Sequence, residues 1–445
     1  MVAPSSHAHG AGIERERSSP RARRLLVILA LPFLVATAVG VLALWPGDPG
    51  DGLDPVLGAP QEQFDAEVVS VERGPCTGTP TDAGIACSRA QAMLLEGPDQ
   101  GRVVDLQEQS DVSAALRLER GDTVVLGYFP EAGPGFEYSF ADRERRSPLL
   151  VLAGLFVVAV VGLGRWKGLR ALLGLGASLV VLTTFVLPAI LAGSDPLAVA
   201  LVGSAVIATF ALYLAHGFNA WTTTALVGTL FSLALVGVLG RVFVEAAQFS
   251  GLADEEASFL QVTAGQVDLR GLLLGGIVIG ALGVLDDVTV TQVSAVWELQ
   301  GAKPDYGRWD LYRAALRIGR DHIASTVNTL VLAYAGASLP LFLLFTQADQ
   351  GLGDVVNGES VAVEVVRALT GSIGLVASVP LTTALAVFVA GATSPPSEVA
   401  RPGPPPPPTT SSEPSSDRQP ARDIPGDPRR YRSRREERFW EGADQ

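Results

Sequence analysis

Eight runs of mostly apolar residues dominate the chain: Leu25–Trp45, Pro148–Gly164, Ala171–Leu191, Leu197–Ala215, Thr223–Val244, Gly271–Val293, Ile323–Phe345 and Ile373–Thr393. About 20 consecutive apolar residues is the length that crosses a bilayer core as an α-helix, and soluble domains rarely repeat it. The runs therefore predict an α-helical polytopic membrane protein with about eight transmembrane helices. So apolar a composition, gathered into runs of this length, excludes a soluble enzyme, a disordered chain and a nucleic-acid binder.

Lys and Arg set the orientation, because short cytoplasmic loops retain positive charge. Arg15, Arg17, Arg21, Arg23 and Arg24 precede the first run, Arg165, Lys167 and Arg170 follow the second, and Lys303, Arg308, Arg313, Arg317 and Arg320 follow the sixth. The alternate loops 192–196 and 346–360 hold no Lys or Arg. Both termini are expected in the cytoplasm. Arg143, Arg145 and Arg146 oppose this scheme, but a large translocated segment follows the rule poorly. The division expected is a cytoplasmic segment 1–24, a first helix 25–45, an extracytoplasmic domain 46–147, a seven-helix membrane domain 148–393 and a tail 394–445. The first run reads either as an uncleaved anchor or as a signal peptide cut near Ala36-Thr37-Ala38. With 31 Arg against 2 Lys, and abundant Ala, Gly and Leu, the composition points to a high-GC bacterial genome and hence to a bacterial plasma membrane.

The segment 46–147 carries 19 acidic and 8 basic residues and reads as β-rich. Polar and apolar residues alternate through Phe64-Asp65-Ala66-Glu67-Val68, and short apolar stretches at 92–95, 103–106, 123–129 and 136–140 are separated by Gly, Pro and Asp. About five short strands are expected. Cys76 and Cys87, the only cysteines, fall here and are expected to form a disulfide. A metal site on this pair would need His partners, and the four His are His7, His9, His216 and His322. No metal, cofactor or enzyme motif is read. The tail contains the run Pro404–Pro408 and too little apolar surface to fold, so it is expected to be disordered. It reads as a tether or as a docking segment for a partner protein.

An ionisable residue inside a span is costly and is a functional-site hypothesis by default. Asp286 and Asp287 follow fifteen uncharged residues. At helical spacing Gly276, Gly280, Gly283, Asp287, Thr291 and Ser294 share a face, and the glycines are expected to admit a neighbouring helix. The acids either bind a cation or proton in a translocation path or mark a solvated helix end. Asn328, a turn or two into the seventh run, needs a partner in hydrocarbon, which Asp286 or Asp287 would supply, with Arg320 or His322 as countercharge. Glu364 and Arg367, spaced i, i+3, read as an interfacial pair or as a buried one. Pro188, Pro340 and Pro380 mark broken or kinked helices.

The segments Gly280-Ala281-Leu282-Gly283-Val284-Leu285-Asp286-Asp287-Val288-Thr289 and Ile318-Gly319-Arg320-Asp321-His322, followed by Val327-Asn328-Thr329-Leu330-Val331-Leu332-Ala333-Tyr334, resemble two blocks of the bacterial YibE/F-like membrane proteins. The resemblance runs over about 67–391. It implies a multi-spanning protein grouped with permeases, without an established activity. Asp286, Asp287, Arg320, Asp321, His322 and Asn328 carry over as matching positions without assigned roles. A transporter of a small solute or ion is the first reading, and a non-transporting scaffold or envelope sensor the second.

Overall fold

The computed structural model describes residues 20–47, 62–75, 86–106, 109–110, 118–133, 135–347 and 351–390. The expected tail and Cys76 lie outside the described residues. Helix α1 (Pro20–Leu44) precedes six strands, β1 (Glu62–Pro75), β2 (Ala86–Leu94), β3 (Val103–Asp105), β4 (Gln109–Ser110), β5 (Thr123–Tyr128) and β6 (Tyr138–Arg143). They form one antiparallel sheet of order β3-β2-β1-β5-β6, with β4 pairing β2. The long β1 is the centre because its alternation serves two neighbours: Ala66 stands opposite both Leu94 and Val124. Ala66, Val68, Ala92, Leu94, Val124 and Leu126 are buried while Glu67 faces out, as period-two patterning requires. A bulge between Val68 and Ser70 re-aims the rest of the strand. Six strands among the described residues replace the five expected, because the two-residue β4 is too short to leave an alternation signal.

The helical part runs α2 (Arg146–Val181), a π-helical turn (Leu182–Val186), α3 (Leu187–Leu191), α4 (Pro196–His216), α5 (Ala220–Ala246), α6 (Glu255–Thr263), α7 (Leu269–Ala302), α8 (Arg308–Ala337), α9 (Leu339–Gln347), α10 (Leu352–Asn357) and α11 (Glu359–Ala390). Among the described residues, six helices are long and apolar enough to cross a membrane. The difference from the expected eight has two sources. The second and third runs merge into one element, Arg146–Leu191, of 46 residues. Straight, it would be about 69 Å long, more than twice a ~30 Å bilayer core. It is not straight: Arg165 adopts φ 50°, ψ −129°, and a Cβ on Gly168 would meet the Val160 carbonyl oxygen. The chain therefore folds back on itself there. The seventh run falls across the break at Ser338 between α8 and α9, and α8, with Arg320, Asp321, His322 and Asn328 beside its apolar residues, is too polar to qualify on composition. Near Pro188, which lacks an amide donor, the π-turn absorbs the lost helical register.

Short polar residues start the helices. The Ala198 amide donates to Asp195 at 2.6 Å, Thr222 to Asn219 at 2.8 Å, and Ala257 to Asp254 at 2.7 Å. Helices α5, α7 and α11 form the centre of the bundle, with α4 and α8 on its flanks. Helix α1 joins it through the edge-on ring pair Phe33–Phe231 at 4.8 Å. At the end away from the sheet, Ala22 and Leu26 of α1 bury against Val389 of α11. The first and last described helices thus place these ends together.

Candidate functional site

The bundle centre is not wholly apolar. Thr229 of α5 and Thr289 of α7 share a hydrogen bond of 2.7 Å, and the Thr383 hydroxyl of α11 donates to Gln292 of α7 at 3.3 Å. Gln292 is only 2% exposed, and its amide lies against Gly319 of α8 with no room for a Cβ between them. Thr289 also donates to the Asp286 carbonyl at 3.1 Å. These residues fix the rotation of α7. With one face locked onto α5 and α11, Asp287 is set on the opposite face and Asp286 on the flank between the two.

Asp286 and Asp287 differ because ~100° of helix separates them. Asp286 is half-buried, and its Oδ1 is buried without a hydrogen-bond partner. Asp287 is 71% exposed and pairs across helices with His322 Nε2 of α8 at 3.7 Å. His322 Nε2 is otherwise buried and unpartnered. At that distance the contact is ionic when the imidazole is protonated and falls short of a hydrogen bond.

Of the six expected site residues, the structure brings together Asp287 and His322, with Asp286 beside them. Arg320, Asp321 and Asn328 are exposed on α8. Asn328 makes no hydrogen bond to either aspartate, and His322, not Arg320, is the group paired with Asp287.

The glycine face also differs from expectation. A Cβ at Gly276 or Gly283 would meet nothing within 4 Å, and one at Gly280 would reach only the Tyr334 hydroxyl, at 3.3 Å. The helix contact is made elsewhere: Gly275 lies 3.1 Å, measured from a built Cβ, from the Pro196 carbonyl at the start of α4. The glycines on the Asp287 side leave the helix surface open.

Glu364 and Arg367 of α11 form an ion pair at 3.3 Å, 24% and 31% exposed. The buried Nε of Arg367 has no partner. Cys87 is disulfide-bonded, and Cys76 lies outside the described residues. Sequence reading missed the Thr229, Thr289, Gln292 and Thr383 seam. Its signal is the i, i+3 pair Thr289 and Gln292, on the side of α7 away from Asp287.

Long apolar helices with charged groups set within them point to an α-helical membrane protein. The chain belongs to the family of YibE/F-like proteins, whose family model matches residues 152–392, more than half of its length. The match takes in both aspartates, His322 and the ion pair of α11, and leaves out α1 and the sheet. No curated protein and no solved structure matches the chain.

Proposed function

We propose that the chain is a permease of a bacterial plasma membrane, moving a small solute or ion, with Asp287 and His322 as its coupling pair. The observation that carries this reading is the charge pair between two helices of the membrane segment, beside the unpartnered carboxylate oxygen of Asp286. Structural charges in hydrocarbon are normally paired and hydrogen-bonded throughout. Here one carboxylate and one imidazole retain free capacity, next to an open helix face on which glycines leave room for a passing ligand.

On this reading the chain crosses eight times, with α8 and α9 as the seventh passage, both termini in the cytoplasm and the sheet outside as lid, selector or dock. The Pro-rich tail serves as tether or partner segment, and no catalysis or cofactor is involved.

The test is complementation. A deletion strain grown under a panel of ionic and solute stresses is supplied with wild type, Asp286→Asn, Asp287→Asn or His322→Gln. Wild type should restore growth, while the Asp287 and His322 variants reach the membrane in equal amount with unchanged thermal stability and fail to restore it. Full rescue by Asp287→Asn with loss of rescue on removing the sheet would instead establish the scaffold reading.

A further inference from the structure

The Glu364–Arg367 pair is not at the end of its helix bundle. Tyr334 places it: its hydroxyl sits beside Gly280 of α7, and one turn back on α8 Leu330 lies against Gly371 of α11, one turn on from Arg367, so Tyr334 and the ion pair share a level. Gly280 is nine residues past Gly271, about 14 Å into the apolar run at 1.5 Å per residue. The ion pair is therefore held at depth, where α7, α8 and α11 meet. Its arrangement leaves one buried donor without a partner. Arg367 gives its Nη1 to Glu364, while its buried Nε has no partner.

Seven residues further along α7 stands Asp287, about 10 Å away by the same rise. The helix face between carries Gly280, Gly283 and Val284; Gly280 faces the Tyr334 hydroxyl, and Gly283 is open. A helical side chain leans toward its own N-terminus, so Tyr334 points its hydroxyl along α8 toward His322. A gap of ~10 Å is spanned by about three waters at ~2.8 Å spacing. Between these two levels α7 presents Asp286 and Asp287, α8 presents His322 and Tyr334, and α11 presents Glu364 and Arg367. Helix α5, packed against α7 and α11, has no titratable side chain between Ala220 and Gly240, and its Arg241–Glu245 pair is exposed near its last turn.

We propose that Glu364, Arg367 and Tyr334 form a second proton station, on the sheet side of Asp287 and His322, which makes the ion coupled to transport a proton and not a metal cation. The donor chemistry separates the two. A metal cation at Glu364 would sit against the guanidinium 3.3 Å away, and at Asp287 it would find an imidazole and no ring of oxygens. A proton meets neither obstacle. It leaves a hydronium ion, forms an O–H bond on Glu364 and loosens the carboxylate from Arg367. Released again, it passes through water beside Tyr334 to the Asp287 carboxylate or His322 Nε2, and departs to water at the other end. No electrons move, and the carboxylates are regenerated.

The inference rests on the coupling role of Asp287, so the experiment reads the two stations separately. The full chain in lipid vesicles is titrated from about pH 4 to 9, a range that spans ordinary carboxyl and imidazole titration, while infrared difference spectra follow protonated carboxyl groups. Glu364→Gln should remove one carboxyl band and Asp287→Asn another. Each variant should also change the pH at which the remaining band appears. An Arg367→Lys variant keeps the pair and should displace only the Glu364 band, which preserves the test if Glu364→Gln does not fold. Spectra unchanged by Glu364→Gln or Arg367→Lys overturn the second station and leave the Asp287 site standing. A spectrum unchanged by Asp287→Asn removes the proton path altogether. A lowered melting temperature without loss of a band would assign the pair a structural role only.

Discussion

Glycines of the same helix bundle do opposite work, and the difference lies in what a single methyl would meet. A Cβ on Gly319 would run into the Gln292 amide and the Val379 side chain, whereas one on Gly276 would enter open space. Gly319→Ala is therefore expected to cost about 1–3 kcal/mol by overpacking, and to strain the Gln292–Thr383 bond. Gly276→Ala should be neutral or stabilising by up to ~1 kcal/mol from helix propensity alone. Thermal melts of the two variants in one detergent check the contrast; equal melting temperatures would contradict it. In the sheet domain, Tyr138 is buried and donates to Asp99 at 3.1 Å, and burial first, then that bond, pushes its phenol up to about 12. The unfolded phenol ionises near 10. The folded state thus holds a proton that the unfolded state releases, so this contribution is complete below about pH 10 and is lost as pH rises through about 12. Tyr138→Phe should flatten the fall in stability over that interval, and an unchanged alkaline profile would show that the phenol is not held neutral by the fold.

At the level of elements, the apolar runs were legible because hydrocarbon length is a hard constraint, and the strand alternation around Phe64–Val68 was legible because β1 is buried on one face. Two features were not. The reversal between the second and third runs was expected from Arg165, Lys167 and Arg170, but its tightness was not: it depends on a single positive φ at Arg165 and on the absence of a side chain at Gly168, and neither residue is unusual in a sequence. The open glycine face was misread for a related reason: small residues permit close approach without requiring it, and the neighbour's position is decided by the hydroxyl seam on the other side of α7. The aspartates were visible as charges in an apolar run. The identity of their partner was not, since Arg320, His322 and Asn328 are all within two to three turns of α8 and only the helix rotation selects His322. The Thr229–Thr289 bond that sets this rotation joins α5 to α7 inside the bundle. Replacing either hydroxyl by Val should cost about 0.6–2 kcal/mol, with the double variant no worse than the worse single one. Additive losses in a double-mutant cycle would mean that the bond contributes nothing.

For the whole molecule, α1 and α11 bring their remote ends together away from the sheet. Reporter fusions at Gly301, in the last turn of α7, and after Ala390 are expected to report the cytoplasm, and fusions in the sheet domain the opposite side. Opposite signals at Gly301 and after Ala390 would break the even count of crossings.

A coupling role for Asp287 requires that its face of α7 meet water and not lipid. Gly283 is the sharpest probe of that face, because a side chain there fits without displacing any neighbour and Cys87 is tied up in a disulfide. A Gly283→Cys variant is treated in intact vesicles with a charged, membrane-impermeant thiol reagent, beside Leu155→Cys on the exposed first arm of α2. Rapid modification at position 283, slowed by Asp287→Asn, with none at 155, is the expected result. Position 283 as unreactive as 155 would place the glycine face in lipid and contradict a water-filled path to the aspartates.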